Sequence, residues 1–394
     1  MYNNKFINHK FIIYIILLLI FFITIDHNIF ILNINFYMSY FKMQIEFKKN
    51  DNYIKLNNKK LKIKNFKKIN NPKISIISPV HNRERFIFNF LLSIQNQNFI
   101  ELEIILIDDF STDKSLNIIE YYKQFDKRII LIKNRKNKGT LMARNIGILF
   151  SKSKYLLLPD PDDILYKNIL NICYKFAEKN NYEIIRFNLY LGKKQIHFEK
   201  LVQTIGNKIV FQKELSTYSF YATQELKVVD LNVSNKLIKK EVYIRAINYL
   251  DNIYLNLYMI YMEDALINVI LHKVAKSLKN LNIIGYDYIK HSESITNNLE
   301  KINQLKIQYG LIFLKVLLDY TKKTKYEKDI ANLIFTSLNR RFNIIYLLSI
   351  STINLKYYYN IITRYINCKF TSHENKIILR KYMDIIEKKI HNII

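Results

Sequence analysis

Tryptophan is missing from all 394 residues, while glycine occurs six times, proline four times and cysteine twice. Each scarcity removes a class of protein. With so few glycines there is no G-x-G-x-x-G run after a strand, so a dinucleotide-dependent oxidoreductase would lack its phosphate cradle. Cys173 and Cys368 are too few for a disulfide framework or a four-ligand zinc site. Cys173, inside the apolar-patterned ILNICYKFAEKN, reads as a buried free thiol. Acids are the scarcer charge: 33 Asp and Glu stand against 61 Lys and Arg, a formal net charge of +28. That balance suggests a polyanion or an anionic membrane as partner. The lysines are scattered, however, apart from KKLKIKNFKK at 59–68, and Ile, Asn, Lys, Tyr and Phe are abundant together. An A/T-rich coding bias accounts for this skew, and no nucleic-acid partner is expected.

What is present is a core and a patterned chain. Apolar residues make up 49% of the sequence, which argues against disorder. Phe11–Ile25 is an uncharged, almost wholly apolar run preceded by Lys5, His9 and Lys10. It falls short of the ~20 residues that span hydrocarbon, but Ile29–Leu32 extends it, and no small-residue cleavage site follows. Residues 1–32 are therefore expected to be a cytosolic tail and signal anchor. The chain would then be a single-pass membrane protein with its bulk in an endomembrane (ER or Golgi) lumen. Residues 33–72, rich in Asn and Lys, read as a stem or linker.

From Pro72 onward short apolar runs alternate with helical patterns. The runs are KISIISPV (73–80), ELEIILIDD (101–109), RIILIKN (128–134), KYLLLPD (154–160) and EIIRFNLYL (183–191). Between them ERFIFNFLLSIQNQ, STDKSLNIIEYYKQF and TLMARNIGILF have helical spacing. This order predicts an α/β fold, a Rossmann-like, mostly parallel sheet flanked by helices, over residues 73–300. Residues 301–394 read as a helical C-terminal region.

The scarce acids gather at two strand ends, as IDDFSTD at 107–113 and PDPDD at 159–163. In parallel sheets ligands bind beyond the carboxyl ends of the strands, so both clusters would face one crevice. On an extended segment Asp160 and Asp162 share a face while Asp163 turns aside. Carboxylates packed so closely repel unless a cation neutralises them, and hard oxygen ligands suit magnesium or manganese. The plainer alternative is that Asp162 or Asp163 caps a helix starting near Ile164.

SIISPVHNRERF, EIILIDDFSTD, NKGTLMARNIGI and KYLLLPDPDDIL, in that order, resemble the family 2 glycosyltransferases of the GT-A fold. A weaker likeness continues through VSNKLIKKEVY, YMEDALINVILHKVAK and YDYIKHSESIT. The resemblance implies that Pro79, Val80, His81 and Glu84 line the nucleotide pocket, with His81 in place of the usual Tyr. It implies that Asp109 recognises the base, most often uracil, with Phe110 where the family commonly has Gly. Arg144 would lie near the diphosphate or the acidic motif. Asp160 and Asp162 would form the D-x-D, Asp162 in direct contact with manganese or magnesium. Asp264 would be the general base. The implied reaction is inverting transfer of a sugar from a nucleotide-diphosphate donor, UDP above all, to a hydroxyl of a glycan, glycoprotein or glycolipid. Processive relatives carry several membrane helices and Q-x-x-R-W, which a chain without Trp cannot match.

Two rivals remain in view. A haloacid-dehalogenase phosphatase also has D-x-D after a strand but wants Thr where this chain has Ile164. A catalytically silent nucleotide- or carbohydrate-binding relative of the same fold would carry the same motifs.

Overall fold

The computed structural model describes residues 45–47, 53–56, 59–191, 209–211, 232–250, 258–260, 263–289, 291, 377, 380, 383–384 and 387–388. The chain divides into two units, Met1–Lys64 and Asn65–Ile394. In the first, β1 (Ile45–Phe47), β2 (Tyr53–Leu56) and β3 (Lys59–Lys62) form an antiparallel sheet in that order. The expected stem thus contains paired strands. Segments of three and four residues are too short to show a period against their Lys and Asn surroundings.

In the second unit, the apolar runs become strands of one nine-stranded sheet. They are β4 (Ile74–Val80), β5 (Leu102–Asp108), β6 (Ile129–Lys133), β7 (Tyr155–Leu157), β8 (Ile164–Leu165), β9 (Ile184–Leu191), β10 (Ile209–Phe211), β11 (Lys236–Lys239) and β12 (Ser277–Tyr288). All seven residues of β4 and of β5 are buried, which requires cover on both faces and explains why these runs are continuous rather than alternating.

The order β10-β12-β9-β11-β7-β4-β5-β6, with β8 on β12, corrects the expected mostly parallel sheet to a mixed one. β4, β5, β6 and β7 are parallel, as are β9 and β12, but β11 runs antiparallel between β7 and β9. β10 and β8 are antiparallel to β12. The four residues of β11 carry Lys at both ends and apolar residues only at Leu237 and Ile238, too weak a signal to orient a strand.

Among the described residues the unit also holds helices α1 (Ile87–Gln95), α2 (Ser115–Phe125), α3 (Thr140–Phe150), α4 (Ile169–Asn180), α5 (Lys240–Tyr249) and α6 (Glu263–Val274). Gly147 lets α3 lie directly on the sheet: a Cβ there would sit 2.4 Å from an Ile77 methyl and 2.7 Å from Ile107. Cys173 is buried in α4 as a free thiol, and burial pushes its pKa up. The helical reading of 301–394 falls largely outside the described residues; the six described positions there are helical.

One expectation is overturned. Among the described residues no helix is long and apolar enough to cross a membrane. A single-pass chain with a lumenal bulk therefore has no support, and the segment 1–32 assigned to the anchor lies outside the described residues.

Candidate active site

The β4–β7 ladder pairs Ile74, Ser75 and Ile76 with Tyr155, Leu156 and Leu157 and then stops. Beyond Ile76 the strands part, at the point where the order of the parallel strands reverses, and such a switch point opens a crevice at the carboxyl ends. Pro79 lies above the parting, still in register with Ile107 of β5. Its missing N–H therefore falls where β4 has no partner on the β7 side.

Two loops line the near wall. The loop after β4 and the loop after β5 are locked together: Arg83 N–H donates to Ser115 Oγ at 2.7 Å and Glu84 N–H to Asp113 Oδ2 at 2.9 Å. In return Thr112 N–H donates to Asn82 Oδ1 and Lys114 N–H to Glu84 Oε2, each at 2.9 Å. Glu84 thus serves the start of α2. The Val80 carbonyl accepts Asp109 N–H at 2.7 Å, and His81 Nδ1 meets the Asp109 carbonyl at 3.0 Å. The Asp109 carboxylate accepts Asn134 Nδ2, Lys138 N and Gly139 N, all at 2.8 Å. It therefore fixes the loop that starts α3. Gly139 has φ +81, and a Cβ there would meet the Met259 backbone at 2.9 Å, so glycine is required twice over.

The far wall is the acidic turn. Asp163 N–H donates to the Asp160 carbonyl at 3.3 Å, closing a four-residue turn with Pro161 in second position. Proline presets φ for that position, which is why it sits between the acids. The turn replaces the extended segment expected from the sequence, and Asp160 and Asp162 meet different partners. Neither Asp162 nor Asp163 caps a helix, because β8 follows at Ile164. Asp163 is buried, accepts Tyr286 Oη–H at 2.6 Å and Ile289 N–H at 2.9 Å, and anchors the turn to the end of β12. The same Tyr286 oxygen accepts Asp160 N–H at 3.0 Å.

Arg144, buried on α3, joins this turn to α6. Its guanidinium reaches Asp160 Oδ1 at 2.5 Å, Glu263 Oε1 at 3.2 Å and Asp264 Oδ1. Arg144 therefore lies beside the acidic motif, and Asp264 meets the same guanidinium. One cation faces three carboxylates, and two of them, Glu263 and Asp160, hold their protons more tightly than an exposed acid does. Burial, then the Asp264 charge, pushes Glu263 up to about 8. Burial also pushes Asp160 up to about 7, with Arg144 pulling the other way.

Asp162 is held differently. Its Oδ2 lies 3.1 Å from Arg83 Nε and 3.0 Å from His291 Nε2. Burial acts to raise its pKa, but the hydrogen bond from His291 and the charge of Arg83 outweigh it and lower the pKa. The His291 ring packs on Phe86, centroids 4.1 Å apart. Sequence reasoning missed Arg83, Tyr286 and His291, although H-N-R-E-R and Y-D-Y-I-K-H contain them.

Comparison with known proteins follows the same line. Residues 75–245 match the family model "Glycosyl transferase family 2". An uncharacterized glycosyltransferase of Haemophilus influenzae is 32% identical over 166 residues, 42% of this chain and 64% of that protein. A poly(ribitol-phosphate) beta-glucosyltransferase of Bacillus spizizenii is 38% identical over 114 residues, 28% of this chain and 18% of that one. The chain thus spans less than two thirds of either relative's length. Both relatives are bacterial, so they lend nothing to an ER or Golgi location. Among solved structures, S. aureus TarS 1-349 in complex with UDP superposes with a TM-score of 0.54 at 16% identity, over 81% of this chain and 89% of that one. At that identity the likeness shows a shared fold.

Proposed function

Because residues 75–245 belong to glycosyl transferase family 2, we propose that the chain is an inverting, metal-assisted glycosyltransferase that uses a UDP-sugar and a hydroxyl acceptor. The observation that carries this reading is the Arg144 hub, which brings the strand-end acid Asp160 and the helix-start acid Asp264 to one guanidinium. A donor-binding turn and a separate carboxylate on one crevice are what a single displacement at an anomeric carbon requires.

The donor's diphosphate would lie against the turn after β7 and its nucleoside over the ends of β4 and β5. Pro79, Val80 and His81 would line the pocket, and Asp109 would present its carboxylate edge to the base. Manganese or magnesium fits the site through Asp162 and His291, an oxygen and a nitrogen donor 3.0 Å apart. Among the described residues no group of three or more such side chains is set to hold a metal ion, so phosphate and water oxygens would complete its shell. Arg83, on the same Asp162 oxygen, would have to yield or share. When bound, the ion would act as a Lewis acid toward the departing diphosphate.

Asp264 would take the acceptor proton. Its side chain is 24% exposed against 10% for Glu263, and Arg144 meets its Oδ1, so Oδ2 would be the oxygen that turns to the acceptor. Glu263, near pKa 8, would keep its own proton at neutral pH and so spare Asp264 a neighbouring charge. Tyr286 and Asp163 would keep the turn in place.

A silent binding relative is the second reading, favoured by the fact that Asp160, Asp162 and Asp264 each already face a protein cation. Release of UDP from UDP-sugars by the purified chain, with and without manganese, separates the two. The enzyme releases UDP in a metal-dependent manner and Asp162→Ala abolishes it. No release from any UDP-sugar, with intact UDP binding, favours the silent relative.

A further inference from the structure

Phe110 combines two features that do not arise from packing. Its φ is +66, in the left-handed region where bulky residues are outliers. The residue is 51% exposed, so burial in the core does not explain the placement. The loop around it holds the conformation by other means. Asp109 is fixed by its three donors, Ser111 Oγ accepts Asn82 N–H at 3.1 Å, and Thr112 binds Asn82. Phe110 is therefore presented at the carboxyl end of β5, beside Asp109, with its backbone strain borne by the neighbours. Glycine would satisfy the backbone at no cost. A phenyl ring kept there, in solvent at the edge of a crevice, calls for something planar to cover it.

The location narrows what that is. β5 stands two strands from β7 in the order β7-β4-β5, roughly 10 Å at the usual spacing. A nucleoside diphosphate is about long enough to bridge that gap, with its phosphates at the acidic turn after β7 and its base over β5. The geometry points to Phe110 as a stacking platform for the donor's nucleobase, an inference that rests on the nucleotide-sugar reading above. A base has an aromatic face and is otherwise weakly held by a crevice rich in charge; stacking on an aromatic side chain supplies affinity independent of the base's hydrogen-bonding edge.

The test is UDP binding, with manganese present, by calorimetry on the full chain and on Phe110→Gly, Phe110→Leu and Phe110→Tyr. Phe110→Gly removes both the ring and the strain, so its Tm is not lowered while its Kd for UDP rises roughly 5- to 100-fold. Phe110→Leu keeps apolar bulk without a π-face and loses affinity in the same range. Phe110→Tyr binds within about twofold of the parent. If the Gly or the Leu variant binds UDP as tightly as the parent chain, the stacking role is overturned. If the parent chain binds no nucleoside diphosphate at all, the nucleotide-sugar reading falls first and this inference with it.

Discussion

Glu263 is a carboxylic acid whose surroundings decide its charge. It is 8% exposed, and its partner Arg144 is shared with two other acids. Its pKa of about 8 stands against an ordinary value of 4.5. Because the folded pKa is the higher one, the folded protein keeps a proton that the unfolded chain gives up, and this favours the fold fully only below about pH 4.5. Stability therefore declines as pH rises from about 4.5 through about 8. Asp160, raised to about 7, adds to the same decline. Thermal unfolding between pH 5 and pH 8.5 in metal-free buffer reads it directly. Glu263→Gln, which cannot ionise, cuts the stability lost across that range by at least about 1 kcal/mol; an unchanged loss would remove Glu263 as its source.

At the scale of elements, the contact between α3 and the sheet depends on one missing methyl group. Gly147→Ala pushes a Cβ into Ile77 and Ile107, which have to move. Overpacking of this kind costs about 1–3 kcal/mol, so chemical denaturation is expected to show that loss while UDP affinity stays unchanged. Affinity lost in proportion to stability would mean that α3 shifts Arg144 along with its helix.

The elements were also the most legible part of the sequence. Continuous apolar runs with helices between them marked β4, β5, β6 and β9 to within a residue or two, and β4 and β5, buried on both faces, carry that signal without alternation. β7 is shorter than its run, because Pro159 and the turn at Asp160 end the ladder early. β11 went unread as a strand, its four residues offering no period to detect. Strand-end acids were visible because acids are scarce in this chain, but their partners were not. Arg83 and His291 reach Asp162 from 79 and 129 positions away in sequence, and no local pattern encodes that meeting. Pro161 has no role in an extended segment and is ordinary in the turn that Asp160 and Asp163 close.

Across the whole molecule, Arg144 is where distant parts meet: α3 carries it, the turn after β7 receives it and the first residues of α6 close on it. Removing a partner from a buried charge cluster leaves the others uncompensated, typically at about 3–5 kcal/mol. Arg144→Met is therefore expected to lower stability by about that much in urea denaturation and to abolish sugar transfer. A second substitution, Asp264→Asn, relieves part of the surplus negative charge and should restore some stability without restoring transfer. If Arg144→Met folds as stably as the parent, the three carboxylates are not held by this residue.

The bond from Asp160 N–H to Tyr286 also sets a schedule. The partners lie 126 residues apart, which at about 5–20 residues per second on the ribosome is roughly 6–25 s of synthesis. For that interval β4, β5, β6 and β7 can pair, because everything they need has already been made. The acidic turn cannot settle until the last strand of the sheet emerges, so the crevice would be competent only once nearly three quarters of the chain exists. A nascent chain stalled before Tyr286 would carry a folded half and an unfinished site.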